Sequence, residues 1–156
     1  MNRHGIFEAE HWLVSHRQDA RYPGYLMVSS REQKSDLCEL DAGALQELGF
    51  VLKSTEQLLH SLYAPCKVIF YKLGFSGGFS FHFHVAPVTP ELLAEIMAHA
   101  EFTDEPDGND AILFLSRIYC ERPLTDDESV AMDLAVEKIR TAANSILKSD
   151  PLRESA

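Results

Sequence analysis

The sequence predicts an α+β fold. Three observations carry that expectation: a segment from Phe79 to Pro87 in which apolar and polar residues alternate, a hairpin signal nearer the amino terminus, and apolar stripes at helical spacing elsewhere. At 156 residues the chain is long enough to bury a core of its own, and no repeat or low-complexity tract divides it.

Trp12-Leu13-Val14 lies within a short apolar run from His11 to His16 that reads as a buried strand. Tyr22-Pro23-Gly24 is a turn signal, and Tyr25-Leu26-Met27-Val28 reads as the returning strand. Asp41 is placed to cap a helix, with Leu40 and Leu45 as a hydrophobic staple. Leu45, Leu48, Leu52, Leu59 and Leu62 form its expected buried stripe, and Pro65 ends it near Tyr63. Cys66 to Leu73, rich in β-branched and aromatic residues, reads as a strand. Beyond Pro90 the pattern turns helical. Glu91–Ala100 is one expected helix, and 111–119 fits strand or helix equally. Thr125 to Glu128 is a capping box opening a helix to about Leu147, with Ala131, Leu134, Ala135, Ile139, Ala142, Ala143 and Ile146 as its stripe.

The chain carries 24 acidic and 14 basic residues, a net charge of −10. Such a surface repels polyanions, so neither nucleic acid nor an anionic membrane is an expected partner. Cys38, Cys66 and Cys120 are far apart and form no Cys-x-x-Cys pair, which fits reduced thiols in a cytoplasm. Residues 1–8 lack a continuous apolar stretch, so neither a signal peptide nor a membrane span is expected there.

The alternating segment is the most informative. On a strand it places Phe79, Phe81, Phe83 and Val85 toward a core, and Ser80, His82 and His84 on the other face. The two imidazoles then stand about 7 Å apart, two residue rises. Gly74, Gly77 and Gly78 precede them and leave room for a ligand to approach the backbone. Such a pair suits an anion or a metal.

Ser80-Phe81-His82-Phe83-His84-Val85-Ala86 resembles the His-φ-His-φ-His-φ-φ signature of the histidine triad superfamily of nucleotide hydrolases and transferases, φ being apolar. Arg21-Tyr22-Pro23-Gly24-Tyr25-Leu26-Met27-Val28, followed by Ser35-Asp36-Leu37, is similar to that family's hairpin and later Ser-Asp-Leu. The resemblance spans about Ile6 to Pro87. It implies an antiparallel sheet with a long helix, paired as a homodimer. A single domain is expected over 1–156, with a histidine-triad-like core at about 6–88 and a helical extension at about 89–150.

By the same resemblance His82 is the nucleophile that attacks a nucleotide α-phosphorus, anchored through one ring nitrogen by the Ser80 carbonyl. His84 contacts the phosphate, with Ser80 and Ser76 as further phosphate contacts. Ile6, Phe7 and Trp12 are candidates for a base or ribose pocket, and Asp19 for a ribose hydroxyl. The expected substrate is a nucleoside phosphoramidate or a dinucleoside polyphosphate, with no cofactor. The chain departs from the pattern at Ser80, in the place of the first triad histidine, and at Tyr25, in that of the hairpin histidine. Two other readings stand beside it: a nucleotide-binding or interaction module that has lost turnover, and a His-x-His metal protein. For the latter the next acid, Glu91, lies seven residues beyond His84.

Overall fold

The computed structural model describes residues 3–74, 77–102 and 105–149. Among them are five strands: β1 (Gly5–Glu8), β2 (Trp12–His16), β3 (Leu26–Ser30), β4 (Lys67–Tyr71) and β5 (His82–Val88). They form one sheet in the order β1-β2-β3-β5-β4, every pair antiparallel. Four helices join them: α1 (Ala42–Tyr63), α2 (Pro90–Ala98), α3 (Gly108–Ile118) and α4 (Asp126–Ser149). The class is α+β, as the alternating and helical patterns require. None of these helices is long and apolar enough to cross a membrane.

Period-two alternation gives the sheet two unlike faces. Trp12, Val14, Leu26, Val28, Val68, Phe81 and Val85 are buried in one cluster with residues of α1 and α4. The Trp12 indole donates to the Ala44 carbonyl at 2.9 Å, pinning β2 to the first turn of α1. Arg140 of α4 donates to the Gly5 carbonyl at 2.7 Å, so the last helix holds the edge strand β1. On the opposite face, Ala86 and Tyr71 pack in a second cluster with α2 and α3. Those two helices cover only part of that face, and the rest is open.

α1 starts where the Asp41 carboxylate accepts from the Ala44 amide at 2.7 Å. It stops at Ala64, whose left-handed φ of 43° precedes Pro65. Its buried face differs from the leucine stripe. Ala44, Val51, Ser54, Thr55, Leu58 and Leu59 are buried, while Leu45 is 44% exposed and Leu48, Leu52 and Leu62 are half-buried. Small and β-branched residues let this helix lie close to the sheet, and Thr55 satisfies its hydroxyl on the Val51 carbonyl at 2.7 Å. The staple is therefore corrected: Leu40 is buried without Leu45 beside it in the core.

α4 shows the same kind of difference. The Thr125–Glu128 capping box forms, with the Glu128 carboxylate accepting from the Thr125 amide at 2.9 Å. Its buried ridge is Met132, Val136, Ile139, Ala143 and Leu147, and Leu134 is 68% exposed. The ambiguous segment is helical as far as Ile118, with Tyr119 as the C-cap, and Asp107 caps the start of this helix by accepting from the Asn109 and Asp110 amides. β1 is a strand that the sequence patterning left unassigned.

Candidate functional site

The open face of the sheet is built by cross-strand register. Ser15 of β2 pairs with Met27 of β3, Met27 with His84 of β5, and His84 with Tyr71 of β4. One rung along, Ser29 pairs with His82. Ser15, Met27, Ser29, His82 and His84 floor a cleft of about 690 Å³, rimmed by Arg17 and Asp19 on the β2–β3 connection and by Phe79 and Ser80 on the β4–β5 connection. Gly74 also lines the cleft, and a Cβ there would stand 3.8 Å from the His82 ring. Gly78 has a φ of +89°, a conformation that suits glycine.

His82 lies 2.8 Å, through Nδ1, from the Ser80 carbonyl. A carbonyl only accepts, so Nδ1 carries the proton and the Nε2 lone pair is left bare in a neutral ring. This is the anchoring contact that the signature implied. His84 stands beside it, ring centroids 5.1 Å apart. Tyr71 stacks on His84 at 5.0 Å and 6°. Burial first, then the positive charge of Arg17 and the neighbouring His82, hold the His84 pKa down at about 4. Its imidazole is therefore neutral at pH 7.

Arg17 reaches Asp19 through Nε at 2.6 Å and through Nη2 at 3.1 Å, and donates through Nη1 to the Tyr25 hydroxyl at 2.9 Å. Burial alone would raise the Asp19 pKa, but the guanidinium outweighs it and keeps the carboxyl below its usual range. Tyr25 is fully buried, and its hydroxyl meets Tyr71, Arg17 and His84 Nδ1.

The structure brings His82, His84, Ser80 and Asp19 to one cleft. It does not bring Ile6, Phe7 or Trp12 there. All three are buried in the core against α1 and α4, so the pocket expected from them is corrected. Trp12 follows from strand alternation, which points it to the face opposite His82. Phe79 is also corrected: it is 67% exposed on the cleft rim, because β5 begins at His82 and the chain ahead of it is a loop. Ser76 lies outside the described residues. The patterning missed Arg17 and Tyr71. Arg17 lies one residue past the end of β2, where strand alternation no longer marks a face; Tyr71 needed the β4–β5 register.

Among the described residues no carboxylate, cysteine or third histidine joins His82 and His84 at ligand distance. The one such group there is His11, Glu32 and Asp41, with ligand atoms within 4.8 Å of one another, away from the cleft lining. Asp41 is already engaged in capping α1.

No family model matches the sequence, and no curated protein matches it significantly. Solved structures do match. A hypothetical histidine triad nucleotide-binding protein from Sulfolobus tokodaii superposes with a TM-score of 0.62 at 16% identity, over 92% of this chain and 85% of that one. The fold is that of the histidine triad proteins. A zinc-bound histidine triad family protein from Mycobacterium smegmatis gives 0.55 at 12% identity, covering 94% of this chain and 87% of its own. A uridylyltransferase gives 0.57 at 15% identity over 93% of this chain, which spans 42% of that larger protein. Ser80 stands just ahead of β5, His82 and His84 stand on it, and Tyr25 immediately precedes β3, the strand hydrogen-bonded to β5.

Proposed function

We propose that this chain binds a nucleotide in the cleft and transfers its nucleotidyl group to His82, then to water. The observation that carries the reading is the Ser80 carbonyl bond, which presents an unprotonated Nε2 to the cleft. Nε2 attacks the α-phosphorus, forming an N–P bond as the bond to the leaving group breaks. The leaving group keeps the electron pair and takes a proton from solvent. The Nδ1 proton stays on the ring, and the Ser80 carbonyl steadies the positive charge the ring gains. Water then cleaves the N–P bond, releasing a nucleoside monophosphate and restoring His82. His84 and the Ser80 hydroxyl line the same cleft and serve the phosphoryl oxygens. Asp19, on the cleft rim, is the residue proposed for a ribose hydroxyl.

The substrate class is a nucleoside phosphoramidate or a dinucleoside polyphosphate. Release of nucleoside monophosphate from either, lost in His82→Asn, supports the proposal; turnover that survives in that variant removes His82 as nucleophile. A second reading, binding without turnover, has its own support. Arg17 is spent on Asp19 and Tyr25, leaving the phosphate grip to neutral donors. Saturable nucleotide binding with no product from either substrate class would select it.

A further inference from the structure

We infer that Tyr25 is a positioning residue that fixes His84 as a neutral Nε2–H donor, and that the cleft therefore selects phosphoryl groups with one negative charge over polyphosphates. The selectivity rests on the nucleotide reading above; the tautomer does not.

The hydroxyl of Tyr25 has one proton and two lone pairs, and it has three partners. Arg17 can only donate to it. Tyr71 is buried, and among the described residues its hydroxyl has no hydrogen-bond partner besides Tyr25. If Tyr71 accepted from Tyr25, its own proton would be buried without an acceptor, so Tyr71 donates as well. Both lone pairs are then filled, and the Tyr25 proton goes to His84 Nδ1, 3.2 Å away. The single proton of the neutral His84 ring is left on Nε2. Tyr71, stacked at 5.0 Å, holds the plane of that ring. His82 has the reverse arrangement, with its proton on Nδ1 toward Ser80. A bare lone pair and an N–H donor thus stand side by side.

Charge follows from the same contacts. Among the described residues lining the cleft, Arg17 and Asp19 are the only arginine, lysine, aspartate or glutamate side chains, and they pair with each other. Lys72, next in the chain to Leu73 of the rim, pairs with Asp36 at 3.6 Å. A phosphoryl oxygen meets an imidazole N–H and serine hydroxyls, not an unpaired cation, within a chain of net charge −10. One negative charge can be held by neutral donors, but each further one adds repulsion without a counter-ion.

The test has two arms. Long-range nitrogen–proton NMR spectra of labelled protein at pH 7 read each tautomer. Protonated Nε2 with bare Nδ1 in His84 supports the inference, and protonated Nδ1 overturns it. In Tyr25→Phe the Nε2–H preference of His84 is lost; a retained preference removes Tyr25 from the role. The second arm compares adenosine 5′-phosphoramidate with diadenosine tetraphosphate. We expect kcat/KM to favour the phosphoramidate by about tenfold or more. Equal or reversed preference overturns the charge selection. If neither compound is turned over, the proposed reaction fails, and calorimetric binding of the two decides in its place: tighter phosphoramidate supports the inference, tighter tetraphosphate sinks it.

Discussion

Replacing His82 by asparagine keeps a side chain able to donate to the Ser80 carbonyl but removes the second ring nitrogen, the one facing the cleft. Turnover of a nucleoside phosphoramidate should fall by about three orders of magnitude or more, measured by single-turnover release of the monophosphate, while the melting temperature stays near wild type. His84 should matter differently. With a pKa of about 4 it stays uncharged until well below neutrality, so any loss of rate from its protonation belongs near pH 4 rather than 6.5. His84→Gln should lower kcat/KM by about a hundredfold and abolish that acid limb. A limb near pH 6.5 that vanishes in His84→Gln would contradict the neutral assignment.

The β2–β3 hairpin shows how an element sets the site. Gly24 has φ +83°, and an added Cβ would sit 2.8 Å from the Tyr63 ring. Gly24→Ala should therefore cost about 1–3 kcal/mol in urea unfolding and displace Tyr25, the next residue. A variant as stable as wild type would show that the turn has room to adjust. In α4, Ile139 is fully buried, and Ile139→Ala should cost about 2–4 kcal/mol by the same measurement. Much at this scale was legible in the sequence. Local chemistry marked both ends of α1, the Thr125 capping box and the two central strands, because caps, prolines and alternation act over a few residues. Which side of α1 and α4 faces inward was not legible. Both helices carry two overlapping apolar stripes, and only the sheet chooses between them. The site was half legible for the same reason. His82 and His84 share a strand and announce themselves, whereas Tyr71 reaches His84 from another strand, and Phe79 looked like core only because alternation was extended past the true start of β5.

Acid should loosen the molecule as a whole before its carboxylates titrate. His16 is buried, accepting from the Gly24 amide at 3.2 Å, and its Nδ1 bonds the Arg17 carbonyl at 2.9 Å; burial leads in lowering its pKa. His84 is lowered too. Both groups bind protons more weakly folded than unfolded, so the stability they contribute is present above about pH 6.5 and is lost as the pH falls through their folded values. Urea midpoints should drop between pH 7.5 and 5, and a flat or rising trend would contradict two neutral histidines held in the fold.

The central claim is that a bare imidazole nitrogen in the cleft becomes phosphorylated by a nucleotide. Rapid quenching of the protein with an adenosine phosphoramidate, under conditions that preserve N–P bonds, followed by mass spectrometry of its peptides, tests this most directly. The account predicts a nucleotidyl adduct on the peptide containing His82, formed at least as fast as product and absent from His82→Asn. Product release with no adduct at any quench time, or an adduct confined to another residue, would contradict it.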